Sequence, residues 1–121
     1  AIIATGVVIE RFRTLRLIIC GAEKLPVKLQ DEFFAKFGVL PLEGWGCTEL
    51  SPVATVNMPD VTRGGAAQQR NCRGSVGQPL FGVAVRAHDP ETGAPLPAGA
   101  EGVLWVKGPN VMLGYLNQPE K

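Results

Sequence analysis

Apolar residues along the chain fall into two kinds of pattern. Leu15 to Cys20 reads Leu-Arg-Leu-Ile-Ile-Cys and is stopped by Gly21. A short, nearly unbroken apolar run of this kind predicts a buried strand of a parallel sheet, apolar on both faces. Leu29, Phe33, Phe34 and Phe37 follow at i, i+4, i+5 and i+8, which is one face of a helix. Pro26 suits the first turn of that helix and Gly38 its stop. Val39-Leu40-Pro41-Leu42-Glu43 is the next strand candidate. Strand, helix and strand within about 30 residues make a βαβ-type unit. Gly44 to Thr48 then reads as a Gly-rich turn. Ligands of open α/β sheets sit outside the carboxyl ends of the strands, and Gly21 and Gly44 both fall at such ends.

Met58 to Arg73 is rich in Gly, Ala, Gln and Arg, has no period, and reads as a surface loop. From Gly74 the character changes. Val83 to Ala87 and Val103 to Lys107 read as antiparallel strands, with Asp89-Pro90-Glu91-Thr92-Gly93 as a turn between them. The shift near residue 74 is the best internal boundary. Ala1 to Thr14 stays unassigned: Ile2, Ile3, Val7, Val8 and Ile9 favour a strand, while Glu10-Arg11-Phe12-Arg13 could end a helix.

Composition narrows the function classes. The 121 residues are 45% hydrophobic, as expected of a folded domain or a piece of one. Twelve Lys and Arg against eleven Asp and Glu leave a net charge of +1, which gives no electrostatic case for nucleic acid or an anionic membrane. Cys20, Cys47 and Cys72 are far apart and His88 is the single histidine, so a structural zinc site is not expected. A sparse, odd set of cysteines predicts reduced thiols and a cytoplasmic setting. No apolar run approaches the roughly 20 residues of a membrane span. Ala1 to Ile9 lacks the basic leader of a signal peptide. A start without Met and an end on Pro119-Glu120-Lys121 are expected of a portion cut from a larger protein.

Candidate chemistry concentrates in Gly44-Trp45-Gly46-Cys47-Thr48-Glu49. Glycines let a ligand approach the backbone. An indole offers a face on which a nucleobase stacks. A threonine hydroxyl can bond a phosphate oxygen, and a carboxylate suits Mg²⁺, which takes hard oxygen ligands and only one or two of them from protein. The same residues also read as a turn with a core Trp, capped by Thr48 and with Glu49 opposite a helix dipole. The residue chemistry leaves both readings open.

Trp45-Gly46-Cys47-Thr48-Glu49 resembles the [YW]-G-x-T-E motif of the adenylate-forming (AMP-binding) enzymes. Gly21-Ala22-Glu23-Lys24-Leu25-Pro26 resembles the adenine-contacting segment of that superfamily, and Gly74-Ser75-Val76-Gly77-Gln78-Pro79 its G-[ST]-V-G-x-P segment. Glu101 to Gly108, followed by Gly114 to Glu120, is similar to its E-G-E-L-x-V-x-G…G-Y-x-N-x-P-E stretch, with Val103 in place of the usual Glu. The likeness covers roughly residues 15–121. Within the superfamily, the chain looks most like bacterial long-chain acyl synthetases, including the acyl-carrier-protein type.

The resemblance implies an α/β fold: residues 15–73 as the βαβ part of an open, mostly parallel sheet, and residues 74–121 as part of an antiparallel, β-barrel-like subdomain. It implies that Trp45 stacks on adenine, that Gly21, Ala22 and Glu23 line it, and that Gly44 borders the nucleotide. Thr48 would meet the α-phosphate, Glu49 would help to hold Mg²⁺, and Gly46 and Cys47 would border the acyl pocket. The implied reaction is attack of a carboxylate, such as that of a fatty acid, on the α-phosphorus of ATP. Pyrophosphate leaves, and the acyl-AMP is passed to a thiol of CoA or of carrier-protein phosphopantetheine. Acyl carrier protein is the implied protein partner; membrane contact would come only through other parts of the parent protein.

The family's phosphate loop, its T-G-D segment and its catalytic Lys domain are missing from the sequence, so the isolated chain is expected to be inactive and to bind a nucleotide at best weakly. The rival expectation is a truncated remnant that only binds a nucleotide or a protein. Cys47 is not expected to act as a nucleophile. Arg63, Arg70 and Arg73 read as a solvated loop, His88 as solvent-facing, Trp105 as a packed strand residue, and Tyr115 and Asn117 as structural.

Overall fold

The computed structural model describes residues 9–12 and 14–118. Most of the unassigned stretch Ala1 to Thr14 and the closing Pro119-Glu120 of the last motif lie outside or at the edge of the described residues. The elements are a 3₁₀ turn at Ile9–Phe12, β1 (Ile18–Cys20), α1 (Val27–Phe37), β2 (Pro41–Trp45), a 3₁₀ turn at Thr48–Leu50, β3 (Thr55–Val56), β4 (Val61–Arg63), β5 (Ala66–Gln68), β6 (Gln78–Pro79), β7 (Ala84–His88) and β8 (Val103–Lys107). They divide into two units, Ala1–Trp45 with Thr55–Gln78, and Gly46–Ala54 with Pro79–Lys121.

The first unit is built on the β1–α1–β2 crossover. Pro26 precedes the helix with φ −60°, and Gly38 ends it at φ 72°, its N–H donating to the Phe34 carbonyl at 2.8 Å. The left-handed conformation at Gly38 costs little because there is no Cβ. Phe33 and Phe37 are buried, and their rings lie 4.5 Å apart. Phe12 closes the cluster at 5.9 Å from Phe33 and 4.4 Å from Phe37. Phe34, on the same predicted stripe, is 52% exposed. Gln30 is 2% exposed, and its Nε2 donates to the Pro41 carbonyl at 3.1 Å and so ties α1 to β2.

β1 and β2 pair in parallel with Cys20 opposite Glu43. The sheet runs in the order β1-β2-β3-β6, and β3 joins β2 antiparallel, so the sheet is mixed rather than mostly parallel. Only residues 46–54 separate β2 from β3, fewer than the dozen or so that a parallel crossover needs. The predicted burial of Leu15 to Cys20 on both faces is corrected: the strand is shorter, and Ile19 is half exposed because its side chain faces an open groove that no described element covers. Leu17, Ile19 and Leu29 open onto an apolar groove of about 600 Å³ along this edge.

Met58 to Arg73 is not an irregular loop. It contains the β4–β5 hairpin, turned by Gly64 and Gly65 at φ 60° and 83°. A two-residue Gly-Gly connection with positive φ at both positions matches the twist of paired strands. Asp60 Oδ1 accepts the backbone N–H of Arg70 (2.7 Å) and of Asn71 (2.9 Å) at the base of this excursion. Arg73 departs from the solvated reading. Its guanidinium donates to Gln30 Oε1 (3.1 Å), the Val27 carbonyl (3.2 Å) and Asp31 Oδ1 (2.7 Å), fastening the segment to α1.

The second unit holds the antiparallel β7–β8 pair, with Val85 opposite Val106. Asp89 Oδ1 accepts the N–H groups of Glu91 and Thr92 in the turn that follows β7. No closed barrel is formed among the described residues. His88 is half-buried rather than solvent-facing: its ring stacks on Trp105 at 4.0 Å and 7°, and its Nδ1 lies 2.8 Å from the Gly93 carbonyl oxygen. Trp105 lies on β8 as expected, but 55% of it is exposed.

Candidate functional site

The parallel register decides which loops leave the sheet together. Because Cys20 pairs with Glu43, Gly21 follows β1 at the level of Gly44 on β2. A Cβ on Gly21 would stand 3.4 Å from the Gly44 carbonyl oxygen. A Cβ on Gly44 would stand 3.1 Å from the Thr55 carbonyl and 3.4 Å from Ile19 and Val56 side-chain atoms. Small residues at both places let the two strand ends close on each other. The structure therefore brings Gly21, at the head of the predicted Gly21-Ala22-Glu23 segment, beside Gly44 in the first unit. Gly44 and Trp45 belong to β2 itself, so the turn begins at Gly46 and not at Gly44. Gly21, Ala22 and Glu23 are exposed, and Trp45 is half-buried. Ala22 holds φ 73°, a left-handed conformation that costs an L-residue about 1–2 kcal/mol.

Gly46, Cys47, Thr48 and Glu49 belong to the second unit, joined to Trp45 through the chain. A Cβ on Gly46 would lie 1.9 Å from the Pro52 carbonyl oxygen, so only glycine fits against that backbone. Cys47 precedes the 3₁₀ turn Thr48–Leu50 with no side-chain cap, so the structure does not support Thr48 as a capping residue. Cys47, Thr48 and Glu49 are all exposed, while Leu50 is buried and anchors the turn.

Glu49 is the centre of a polar cluster. Tyr115 Oη donates to Glu49 Oε1 at 2.5 Å. This hydrogen bond, then one from the Cys47 thiol, lowers the Glu49 pKa to about 2. The same contact pushes the Cys47 thiol up, the carboxylate accepting its hydrogen counting for more than burial. Tyr115 is likewise pushed up, chiefly by its bond to Glu49. Because the folded value of Glu49 lies below its ordinary one, the contribution of the ionised form is present above the unfolded pKa and is lost as pH falls through about 2. Tyr115→Phe is expected to move the Glu49 midpoint up toward the ordinary carboxylate range, measured by ¹³C NMR of the side-chain carboxyl; an unchanged midpoint would remove the hydroxyl as its cause.

The surroundings of two residues were not legible in the sequence. Tyr115 stands 66 positions from its partner, so no local pattern announces the pair. Glu43 looked like the end of an apolar strand; it is 5% exposed, and its Oε2 has no hydrogen-bond partner. Its charge, after burial itself, pushes the Cys20 thiol up. Among the described residues no three His, Cys, Asp or Glu side chains gather as a metal cage. A single ionised carboxylate nonetheless fits Mg²⁺, which takes most of its ligands from phosphates and water.

A parallel β–α–β unit that ends on two neighbouring glycines, with a Thr-Glu turn just beyond, has the architecture of the N-terminal domain of adenylate-forming enzymes. The chain belongs to the AMP-binding enzyme family, whose model matches residues 5–116, beginning upstream of the recognised motifs. It is 38% identical over 84% of its length to the long-chain-fatty-acid–[acyl-carrier-protein] ligase AEE15 of Arabidopsis thaliana, and covers 12% of that protein. It is 36% identical over 90% of its length to the long-chain-fatty-acid–CoA ligase of Yersinia pestis, and covers 18% of it. Among solved structures, apo MatB from Rhodopseudomonas palustris matches 87% of this chain at 42% identity and TM-score 0.71, with 19% of that chain covered. The anthranilate CoA ligase AuaEII in complex with anthranoyl-AMP matches 88% at 30% identity and TM-score 0.71, again with 19% covered. The chain thus spans no more than a fifth of these relatives.

Proposed function

We propose that this chain is the adenine- and phosphate-facing portion of an ATP-dependent acid–thiol ligase. The ligase activates a carboxylic acid, a fatty acid by preference, as acyl-AMP and passes it to a thiol of CoA or acyl-carrier-protein phosphopantetheine. Residues 15–73 supply the α/β portion and residues 74–121 the β-rich portion. The observation that supports the reading is the register of β1 on β2, which sets Gly21 beside Gly44, one residue before Ala22 and Trp45 respectively. The strained φ of Ala22 supports it, since strain of this kind gathers at ligand sites. The fatty-acid preference is supported by the Arabidopsis and Yersinia relatives, which are named as long-chain-fatty-acid ligases.

In this reading Trp45 stacks on adenine, with Gly21, Ala22 and Glu23 along the base. Thr48 donates its hydroxyl to the α-phosphate, where charge builds during displacement. Gly46 and Cys47 border the acyl group without taking part in bond changes. Glu49, kept ionised by Tyr115 and Cys47, is the protein ligand of Mg²⁺. When bound, the cation neutralises charge on the phosphates. The chain contributes positioning and fixed dipoles. Among the described residues no helix is long and apolar enough to cross a membrane. A cytoplasmic setting goes with three cysteines that are all free.

The 121 residues alone are expected to give no acid-dependent ATP–pyrophosphate exchange, because they span so small a share of the relatives. A polypeptide carrying the chain within its full reading frame is expected to give it, with Glu49→Gln lowering the rate by about 10²-fold, the scale of one lost electrostatic contact. Exchange by the 121 residues well above background, or none by the longer polypeptide, contradicts the reading. The latter result would favour a remnant that only binds.

A further inference from the structure

The segment after β8 is fastened to the Thr-Glu turn by four hydrogen bonds, all within the second unit. Asn110 Nδ2 donates to the carbonyls of Leu50 and Val53, each at 3.0 Å. The Met112 N–H donates to the Glu49 carbonyl at 2.9 Å. Tyr115 Oη then reaches the Glu49 carboxylate itself, at 2.5 Å. The Asn110 bonds run from a half-buried side chain to backbone carbonyls, and the Met112 bond joins backbone to backbone. The fourth differs in kind. It joins two exposed side chains that gain little by packing, and an exposed contact of this sort adds little to stability. What it does is select one direction for a carboxylate that solvent would otherwise leave free among rotamers.

We propose that Tyr115 is a positioning residue for Glu49. Segment 110–115 braces the backbone of the turn through the Asn110 amide and the Met112 N–H, and the tyrosine hydroxyl aims the carboxylate at the divalent cation of the bound nucleotide. This rests on the reading of Glu49 as the Mg²⁺ ligand. Residues that hydrogen-bond a metal ligand orient it in this way, and their removal weakens metal binding by about 10–100-fold. The bond runs from the Gly-Tyr motif to the Thr-Glu motif across 66 positions, so it gives the tyrosine a task beyond packing.

The test uses the full chain labelled with ¹³C-glutamate and titrated with Mn²⁺–ATP. In the wild type the Glu49 side-chain signal is expected to broaden ahead of the other glutamates. Tyr115→Phe is expected to shift that response to about 10-fold higher Mn²⁺–ATP. Replacing Tyr115 by p-aminophenylalanine, which keeps a donor at the same reach, is expected to restore it. Equal responses in wild type and Tyr115→Phe overturn the role of Tyr115 and leave Glu49 standing as a ligand. No preferential broadening of Glu49 in the wild type overturns the metal reading, and the role of Tyr115 with it. A loss that p-aminophenylalanine does not restore marks a merely structural residue and overturns the proposal as well.

Discussion

Asn57→Ala is expected to destabilise the chain by about 2–4 kcal/mol, out of the roughly 5–15 kcal/mol that a domain of ordinary stability has in total. Asn57 is 2% exposed and satisfied on every side. Its Nδ2 donates to the Glu43 carbonyl (3.1 Å) and to the Ser75 carbonyl (2.6 Å), and its Oδ1 accepts the Cys72 N–H (2.8 Å). One amide therefore sews the Gly74-Ser75-Val76-Gly77 segment onto the strand that carries Trp45. Alanine leaves the part-buried Ser75 carbonyl and Cys72 N–H without this partner, and each costs toward the lower end of the about 1–3 kcal/mol of an orphaned group. The cavity left by the missing amide adds to that. Urea unfolding would show the effect as a much lower midpoint; a midpoint unmoved within error would mean that water replaces the amide without cost.

The second large effect is expected of Gly46→Ala, at about 3 kcal/mol or more, the upper end of what overpacking costs. The new Cβ would meet the Pro52 carbonyl oxygen at 1.9 Å and the Val53 Cα at 2.7 Å. Both are backbone atoms, so no side chain can swing aside and the turn itself must move. Cys47 to Leu50 would move with it, and the Tyr115–Glu49 bond would weaken. Gly64→Ala is the contrasting case. Its Cβ meets nothing within 4 Å, and only the positive φ of 60° is strained, at about 1–2 kcal/mol. Thermal unfolding of the two variants should rank Gly46→Ala clearly below Gly64→Ala; the reverse order would mean that the close approach at Gly46 relaxes freely.

What the sequence made legible was whatever is written locally. Pro26 and Gly38 bracket α1 within a residue because each acts on its own turn of backbone. β1, β2, β7 and β8 were visible as apolar runs. The β4–β5 hairpin was missed although its signal, Gly64-Gly65, stands in plain sequence, because its strands are short and carry no apolar alternation. β3 and β6 are two residues each, too short for any period. The antiparallel course of β3 could have been read from the shortness of residues 46–54.

At the site, the motif residues were legible and their partners were not. Gln30 and Asn57 are polar residues whose burial depends on carbonyls 11 to 18 positions away, on other elements. Arg73 looked like one more basic residue of a loop, and only the return of that loop to α1 gives it Gln30 and Asp31 as partners. The stack of His88 on Trp105 required the β7–β8 register, which sets them on neighbouring strands.

The claim on which the rest turns is that the Trp45 ring faces a nucleobase. Titrating the chain with a non-hydrolysable acyl-adenylate analogue, and following indole fluorescence, tests it most directly. Trp105 is the second indole, so Trp105→Phe is the companion variant. The account predicts saturable quenching in the wild type, retained in Trp105→Phe and lost in Trp45→Ala. Quenching of equal depth in Trp45→Ala would contradict it.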